Sequence, residues 1–306
     1  MRAARIHKTG DLADVVVDEA PEPIAGEGEV LVRVAAAALN PLDYKVVLHG
    51  RWGHRPLPFT LGFDAVGTVA GIGAGVTSVA VGDRVCAMAD LAEGGTAAEY
   101  VVLRERSVAR VPGEVPDPVA AGLPLVGLTA LQAWKLGNVR AGQTVLIQGG
   151  AGGVGHIAIQ LAKLRGAEVC ATASAKNLNL LADLGADHPV DYLATSPGRF
   201  VARADVVLDT RGGESAAATL RAMKPGSTFI SIVGYAPDEA DARDDVRVER
   251  MLVEPNAHEL AGLVDLVSEG QLRVIADAVT PLEEVAAALI ALQSGHTVGK
   301  RVLTVT

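Results

Sequence analysis

The chain has 306 residues, of which 49% are apolar and 21% charged, and a net charge of −9. A chain of this length holds two cores, its composition is that of a soluble globular protein, and its acidic balance argues against a general nucleic-acid binder, which needs a basic face. Two cysteines, with no C-x-x-C pair and neither in a histidine cluster, argue against a disulfide framework or a structural zinc and point to a reduced, cytoplasmic setting.

The opening MRAARIHKTG lacks the apolar stretch of a signal peptide. The uncharged run 118–134 is shorter than a membrane span and is broken by Gly122, Pro124, Gly127 and Gln132, so no membrane association is expected. Up to residue 115 the chain reads as short strands at 15–17, 29–35, 65–69 and 83–87, separated by Gly26, Gly28, Gly71, Gly73, Gly75 and Gly82. Many short strands between glycines suggest a barrel or sandwich. The character changes after Pro112-Gly113-Glu114-Val115-Pro116. Strands at 144–148, 168–172, 190–192, 205–209 and 227–233 then alternate with helices, the pattern of a parallel doubly wound α/β sheet. Asn256 with Glu259 predicts one late helix start, and Thr280, Pro281 and Glu283 another, with Gly295 as its stop. A last strand covers 301–306.

The chain is organised around 144–164, TVLIQGGAGGVGHIAIQLAKL. An uncharged β-rich run leads into Gly150, Gly152 and Gly155, spaced as G-x-G-x-x-G, with Gly153 and Val154 inside the turn. Val154, Ile157, Ala158 and Leu161 follow at helical spacing. Glycines let the backbone approach a pyrophosphate, and the helix N-terminus favours its charge. An NAD site places a carboxylate about 20 residues further on, against the ribose 2′-hydroxyl. The stretch Ala173-Ser174-Ala175-Lys176-Asn177 offers a hydroxyl, a cation and an amide instead. Ser174 and Lys176 suit a 2′-phosphate, so NADPH is expected.

Read together, the segments resemble the medium-chain dehydrogenase/reductase superfamily and, within it, the zinc-independent quinone oxidoreductase branch. The resemblance rests on Asn40-Pro41-Leu42-Asp43-Tyr44-Lys45, Leu61-Gly62-Phe63-Asp64-Ala65-Val66-Gly67, Gly82-Asp83-Arg84-Val85, Ala97-Ala98-Glu99-Tyr100 and Gly127-Leu128-Thr129-Ala130. It continues through the glycine turn, Leu184-Gly185-Ala186-Asp187, Asp191-Tyr192 and Gly299-Lys300. It implies a GroES-like β-barrel catalytic domain over 1–115, completed by 275–306, a Rossmann domain over 116–274, and a cofactor cleft between them. It also implies cofactor contacts from Thr129, Tyr192, Val233, Gly299 and Lys300, and a homodimer through the edges of the Rossmann sheets.

The zinc alcohol dehydrogenases of that superfamily carry an early ligand cysteine, absent from 40–43 here, and a Gly-His-Glu where this chain has Gly62-Phe63-Asp64. Phenylalanine cannot bind a metal and one aspartate is not a site, so no metal is expected. Reduction of a quinone or an α,β-unsaturated carbonyl, which needs no Lewis acid, is the expected chemistry. The resemblance places Asn40, Asp43, Tyr44 and Lys45 in the cleft as catalytic candidates. Each also has a structural reading: Asn40 shapes a turn, Asp43 caps a helix, Tyr44 packs, and Lys45 is a solvated cation. Trp52 stands where relatives often carry a loop tyrosine and is expected to wall the acceptor pocket. Enoyl-thioester reduction, with Arg51, His54 and Arg55 receiving the carrier, and NADPH binding without catalysis are the alternatives.

Overall fold

The computed structural model describes residues 1–50, 56–194, 198–238 and 242–305. The chain divides into two compact units, Met1–Leu128 with Glu254–Thr306, and Thr129–Val253.

The first unit opens with β1 (Arg2–Ile6), β2 (Val16–Glu19) and the long β3 (Glu29–Leu39), followed by α1 (Pro41–His49). After β4 (Phe59–Thr60) come β5 (Asp64–Ile72), β6 (Arg84–Met88), β7 (Tyr100–Arg104) and β8 (Val108–Arg110), then α2 (Asp117–Gly122) and α3 (Pro124–Leu136). Along β3, Val30, Val32 and Val34 are buried in alternation, the period-2 signature of a strand with one face in a core. Its pairing with β5 shifts register between Val34 and Ala36. Gly67 lies at that shift, where a Cβ would fall 2.1 Å from the Arg33 carbonyl oxygen, so the two backbones cross where only glycine fits.

The second unit runs β9 (Thr144–Ile147), α4 (Gly153–Leu164), β10 (Glu168–Ala173), α5 (Leu178–Asp183), β11 (His188–Asp191), α6 (Gly198–Val201), β12 (Val206–Asp209), α7 (Gly213–Ala222), β13 (Thr228–Ser231) and β14 (Arg247–Arg250). All the pairings in this sheet are parallel, in the order β11-β10-β9-β12-β13-β14. That order is the doubly wound arrangement, with its switch point between β9 and β12. Val145, Leu146, Ile147, Val207 and Leu208 have no exposed surface, as expected of central strands covered on both faces.

The chain then returns to the first unit through α8 (Ala257–Ser268), β15 (Ala276–Pro281), α9 (Val285–Gln293) and β16 (Lys300–Thr304). Among the described residues the large sheet of this unit is ordered β15-β16-β3-β5-β6-β8, with β7 also on β3. Its core joins Val32, Leu39, Phe63 and Leu103 to Val47 of α1 and Leu289 of α9.

Three expectations differ from this architecture. The units divide at 128/129 and 253/254 rather than at 115/116 and 274/275. The Pro112–Pro116 stretch marks a change of composition, but α2 buries Ala120, Ala121 and Gly122 and packs on β3 and β5, while α8 packs on β8. Thr280 and Pro281 end β15, paired with Leu303 and Thr304, and α9 starts only at Val285. A proline that closes an edge strand costs little pairing, so the ladder takes these residues from the helix. The Asn256 start is as expected, its side chain accepting from Glu259 N at 3.0 Å, and Gly295 ends α9 at φ 76°.

Candidate active site

In the second unit the glycine turn joins β9 to α4. Gly149 has φ 74°, and the turn is tied to the neighbouring strand by Gly149 N donating to Thr172 Oγ1 (3.2 Å) and Gly150 N to Thr172 O (2.8 Å). A Cβ on Gly155 would lie 2.2 Å from Gly149 O, so helix and turn touch backbone to backbone. Ile157, Ala158 and Leu161 are buried, while Gly152, Gly153 and Val154 stay partly exposed at the helix start, where a 12-residue helix concentrates positive potential. His156, the residue after the turn, is fully buried and has Nδ1 3.0 Å from Gly152 O.

Other sequence-predicted cofactor residues gather at the carboxyl ends of the same parallel strands, where ligands bind in such sheets. Ser174 follows β10, and the exposed Lys176 lies in the short turn Ala175–Asn177, which carries no carboxylate. Tyr192 follows β11, 48% exposed, its N–H donating to Ala173 O at 3.2 Å. Val233 lies two residues past β13, and a Cβ on Gly212 would come within 3.1 Å of its Cγ2. Thr129 is buried on α3.

The end of β12 was not singled out from the sequence. Asp209 is fully buried; its Oδ1 accepts from Arg211 N (2.9 Å) and Gly212 N (2.8 Å), and its Oδ2 from Ser231 Oγ (2.8 Å). Thr210 Oγ1 donates to Gln148 O at 2.6 Å. These bonds fix the loop that holds the exposed Arg211, whose Cδ lies 3.6 Å from where a Cβ of Gly149 would sit. The signal available was an aspartate closing an apolar strand, followed by Thr-Arg-Gly-Gly.

In the first unit, Asn40 precedes α1 and Asp43 stands in its first turn. Asp43 Oδ2 accepts from Asn40 N (2.8 Å) and Oδ1 from Gly62 N (2.8 Å), so its carboxylate caps the helix and ties it to the start of β5. Gly62 has φ 97°, and a Cβ there would meet Thr96 Oγ1 at 2.4 Å. The Asn40 side chain faces inward: Nδ2 donates to Asp64 Oδ2 at 2.8 Å and Oδ1 accepts from Lys300 Nζ at 2.6 Å. Lys300 Nζ also donates to Leu39 O (3.0 Å) and Asp64 Oδ2 (3.1 Å). Asp64 Oδ1 accepts from Leu125 N at 2.7 Å. Asn40, Asp43, Asp64 and Lys300 are each at most 3% exposed.

Burial pushes the Asp43 carboxyl up to about 6, against the pull of the two backbone N–H groups and the Lys300 charge. Burial also raises Asp64, opposed chiefly by the Lys300 ammonium. The structure thus brings Asn40, Asp43 and Lys300 together, with Asp64, which sequence reasoning considered only as a metal ligand. Tyr44 and Lys45 follow on α1, both half-buried; Tyr44 packs against the core, and burial raises its phenol. Gly299 has φ 61°, and a Cβ there would lie 2.2 Å from Ile275 O. Trp52, with Arg51, His54 and Arg55, lies outside the described residues.

A GroES-like barrel unit and a Rossmann unit in one chain define the two-domain class of nicotinamide-dependent oxidoreductases. The alcohol dehydrogenase GroES-like domain model matches residues 26–113, and the zinc-binding dehydrogenase model residues 184–303. The NADPH-dependent alkenal/one oxidoreductase of Arabidopsis thaliana is 33% identical over 293 residues, covering 92% of this chain and 73% of the relative. The quinone oxidoreductase from Coxiella burnetii superposes with a TM-score of 0.91 at 33% identity, over 100% of this chain and 99% of that one. A mycobacterial protein solved in complex with NADPH gives 0.89 at 29% identity, over 100% of both chains. The chain belongs to the medium-chain dehydrogenase/reductase family, in its quinone oxidoreductase-like branch.

The zinc in the second family model's description does not fit these residues. Phe63 is buried and has no donor atom, and both Asp64 oxygens are taken by Leu125 N, Asn40 Nδ2 and Lys300 Nζ. Among the described residues no group of three or more His, Cys, Asp or Glu could hold a metal ion.

Proposed function

We propose that this chain is an NADPH-dependent reductase of quinones and α,β-unsaturated carbonyls that works without a metal ion. The observation that carries the reading is the strand-end surface of the second unit: a glycine turn opening α4, followed at the end of β10 by Ser174 and Lys176 with no carboxylate. The turn at Gly150, Gly152, Gly153, Val154 and Gly155 suits the pyrophosphate, with Arg211 as an adjacent cation; Ser174 and Lys176 suit the 2′-phosphate. Tyr192, Val233 and Thr129 complete the set. When bound, NADPH supplies a hydride.

The protein's remaining task is to deliver a proton to the acceptor oxygen and stabilise its charge. Tyr44 and Lys45 are the candidate donors, and burial raises the Tyr44 phenol above its ordinary value. Asn40 and Asp43 set the first turn of the helix that carries both. Gly299 shapes the approach to β16 in the same unit.

The test is turnover of a small quinone, a simple enone and a short enoyl thioester with NADPH and a chelator present. Turnover of the quinone or enone is expected. Turnover of the thioester alone would move the chain to carrier-bound substrates, and NADPH binding without turnover would make it a binding protein. Tyr44→Phe should lower kcat about 10²-fold if Tyr44 is the donor; unchanged kcat returns Tyr44 to packing.

We also place the protein in the cytoplasm as a homodimer. Cys86 and Cys170 are buried thiols that form no disulfide, and among the described residues no helix is long and apolar enough to cross a membrane. The six-stranded sheet ends at β14, an edge suited to pairing with a second copy. Light scattering at the monomer mass would remove the dimer.

A further inference from the structure

We propose that Asp64 and Lys300 are positioning residues for this reaction: a buried ion pair that sets the first turns of α1 and α3, with the Lys300 ammonium spent on the protein and not on the cofactor. The inference rests on the reductase reading above.

An ammonium has three donors and no acceptor. Lys300 has three acceptors within reach, Leu39 O, Asn40 Oδ1 and Asp64 Oδ2, at 3.0, 2.6 and 3.1 Å, and is 3% exposed. No donor is left for a phosphate. The Asn40 amide is occupied on both sides, by Lys300 and by Asp64.

The cluster sits where two helices begin. Asp43 holds the first turn of α1, and Asp64 Oδ1 accepts from Leu125 N in the first turn of α3. A carboxylate is favoured at a helix N-terminus, but two buried carboxylates close together oppose one another. Lys300 is the cation on the described residues that reaches both Asp64 and the Asn40 side chain. Removing it leaves Asp64 charged and buried without its counter-ion, the costly case for a buried pair. The starts of α1 and α3 then lose their common anchor. α1 carries Tyr44 and Lys45, and α3 carries Thr129 one turn beyond Leu125.

The experiment compares wild type, Lys300→Met, Asp64→Asn and the double variant, measuring kcat, NADPH dissociation by fluorescence and thermal midpoint. Well below the midpoint, each single variant should lose about tenfold or more in kcat, with NADPH affinity within about threefold of wild type. The double variant should be no worse than the poorer single, because the pair acts as a unit. A merely structural pair would lower the midpoint and leave kcat per NADPH-binding site unchanged, which overturns the proposal. So does about tenfold weaker NADPH binding by Lys300→Met at unchanged kcat. Should the single variants fail to fold, the double variant, which removes both charges together, carries the comparison.

Reductive methylation of the wild-type chain is independent of any variant. Lys300 should resist it with and without NADPH, while Lys176 should be labelled and then protected by NADPH. Labelling of Lys300 in the free protein, lost on adding NADPH, overturns the proposal. Absence of wild-type turnover counts against the reductase reading; the binding and methylation results still decide whether Lys300 serves the protein or the cofactor.

Discussion

Lys176 and Arg211 are both exposed cations at strand ends of the parallel sheet, but they stand at different places on it. Lys176 lies in the turn Ala175–Asn177 after β10, at the place where dinucleotide folds read the ribose 2′ position; Arg211 lies by the glycine turn, which suits the pyrophosphate that NADPH and NADH share. A charge-assisted hydrogen bond contributes about 1.5–3 kcal/mol, roughly tenfold to a hundredfold in affinity. Lys176→Ala should therefore weaken NADPH by about that factor and leave NADH nearly unchanged. Arg211→Ala should weaken both alike. Fluorescence titration of both cofactors against both variants checks this, and equal losses in Lys176→Ala contradict it.

Asp43 gives a pH dependence with a definite sign. Its carboxyl is pushed from an ordinary 3.8 to about 6 in the folded chain. Below 3.8 it is protonated both folded and unfolded. Between the two values the folded state binds more protons, so the stability it contributes is lost as pH rises through about 6. Asp43→Asn removes that falling contribution, and its thermal midpoint should climb more steeply than wild type between these limits. At neutral pH the variant should be less stable by about 1–3 kcal/mol, because an amide nitrogen cannot accept from Gly62 N or Asn40 N. Parallel pH profiles would contradict the raised value.

Among the elements, the β9–turn–α4 unit is the most sharply constrained. Gly155 has backbone against the space a methyl would need, at 2.2 Å from Gly149 O and 2.7 Å from Gly150 Cα. Gly155→Ala should cost about 1–3 kcal/mol and weaken the cofactor, since neither backbone can yield without moving the turn. Gly152 has only Gly149 O near its Cβ position, at 3.4 Å. Gly152→Ala should keep the thermal midpoint while placing a methyl on the phosphate-facing surface. Loss of stability in both variants alike would contradict the distinction.

This element was legible in the sequence because all its signals are local: an apolar run, glycines at fixed spacing and a helical stripe. The same holds for Asn256 capping α8. Elements decided by distant pairing were less legible. Thr280 and Pro281 carry the marks of a helix start, yet β16 claims them as a strand. β7 is paired with β3, far back along the chain, and no local signal marks that pairing. The buried cluster shows the same limit more strongly. Lys300 and Asp64 are 236 residues apart, and nothing near either marks the other as its partner. The family resemblance points to Lys300 as a cofactor contact, but only the fold shows its ammonium held by Leu39 O, Asn40 Oδ1 and Asp64 Oδ2.

At the scale of the molecule, a barrel-like unit with a buried charged anchor accompanies a Rossmann unit with a strand end free of carboxylate. In the proposed reaction Tyr44 or Lys45 of the first unit delivers the proton, and Ser174 and Lys176 of the second receive the phosphorylated cofactor. The most direct measurement is the rate of reduced-nicotinamide consumption with one enone acceptor, chelator present, comparing kcat/KM for NADPH and NADH. The account predicts turnover that persists under chelation and favours NADPH by about tenfold or more. Equal rates with the two cofactors, or activity that disappears with chelator and returns with zinc, would contradict it.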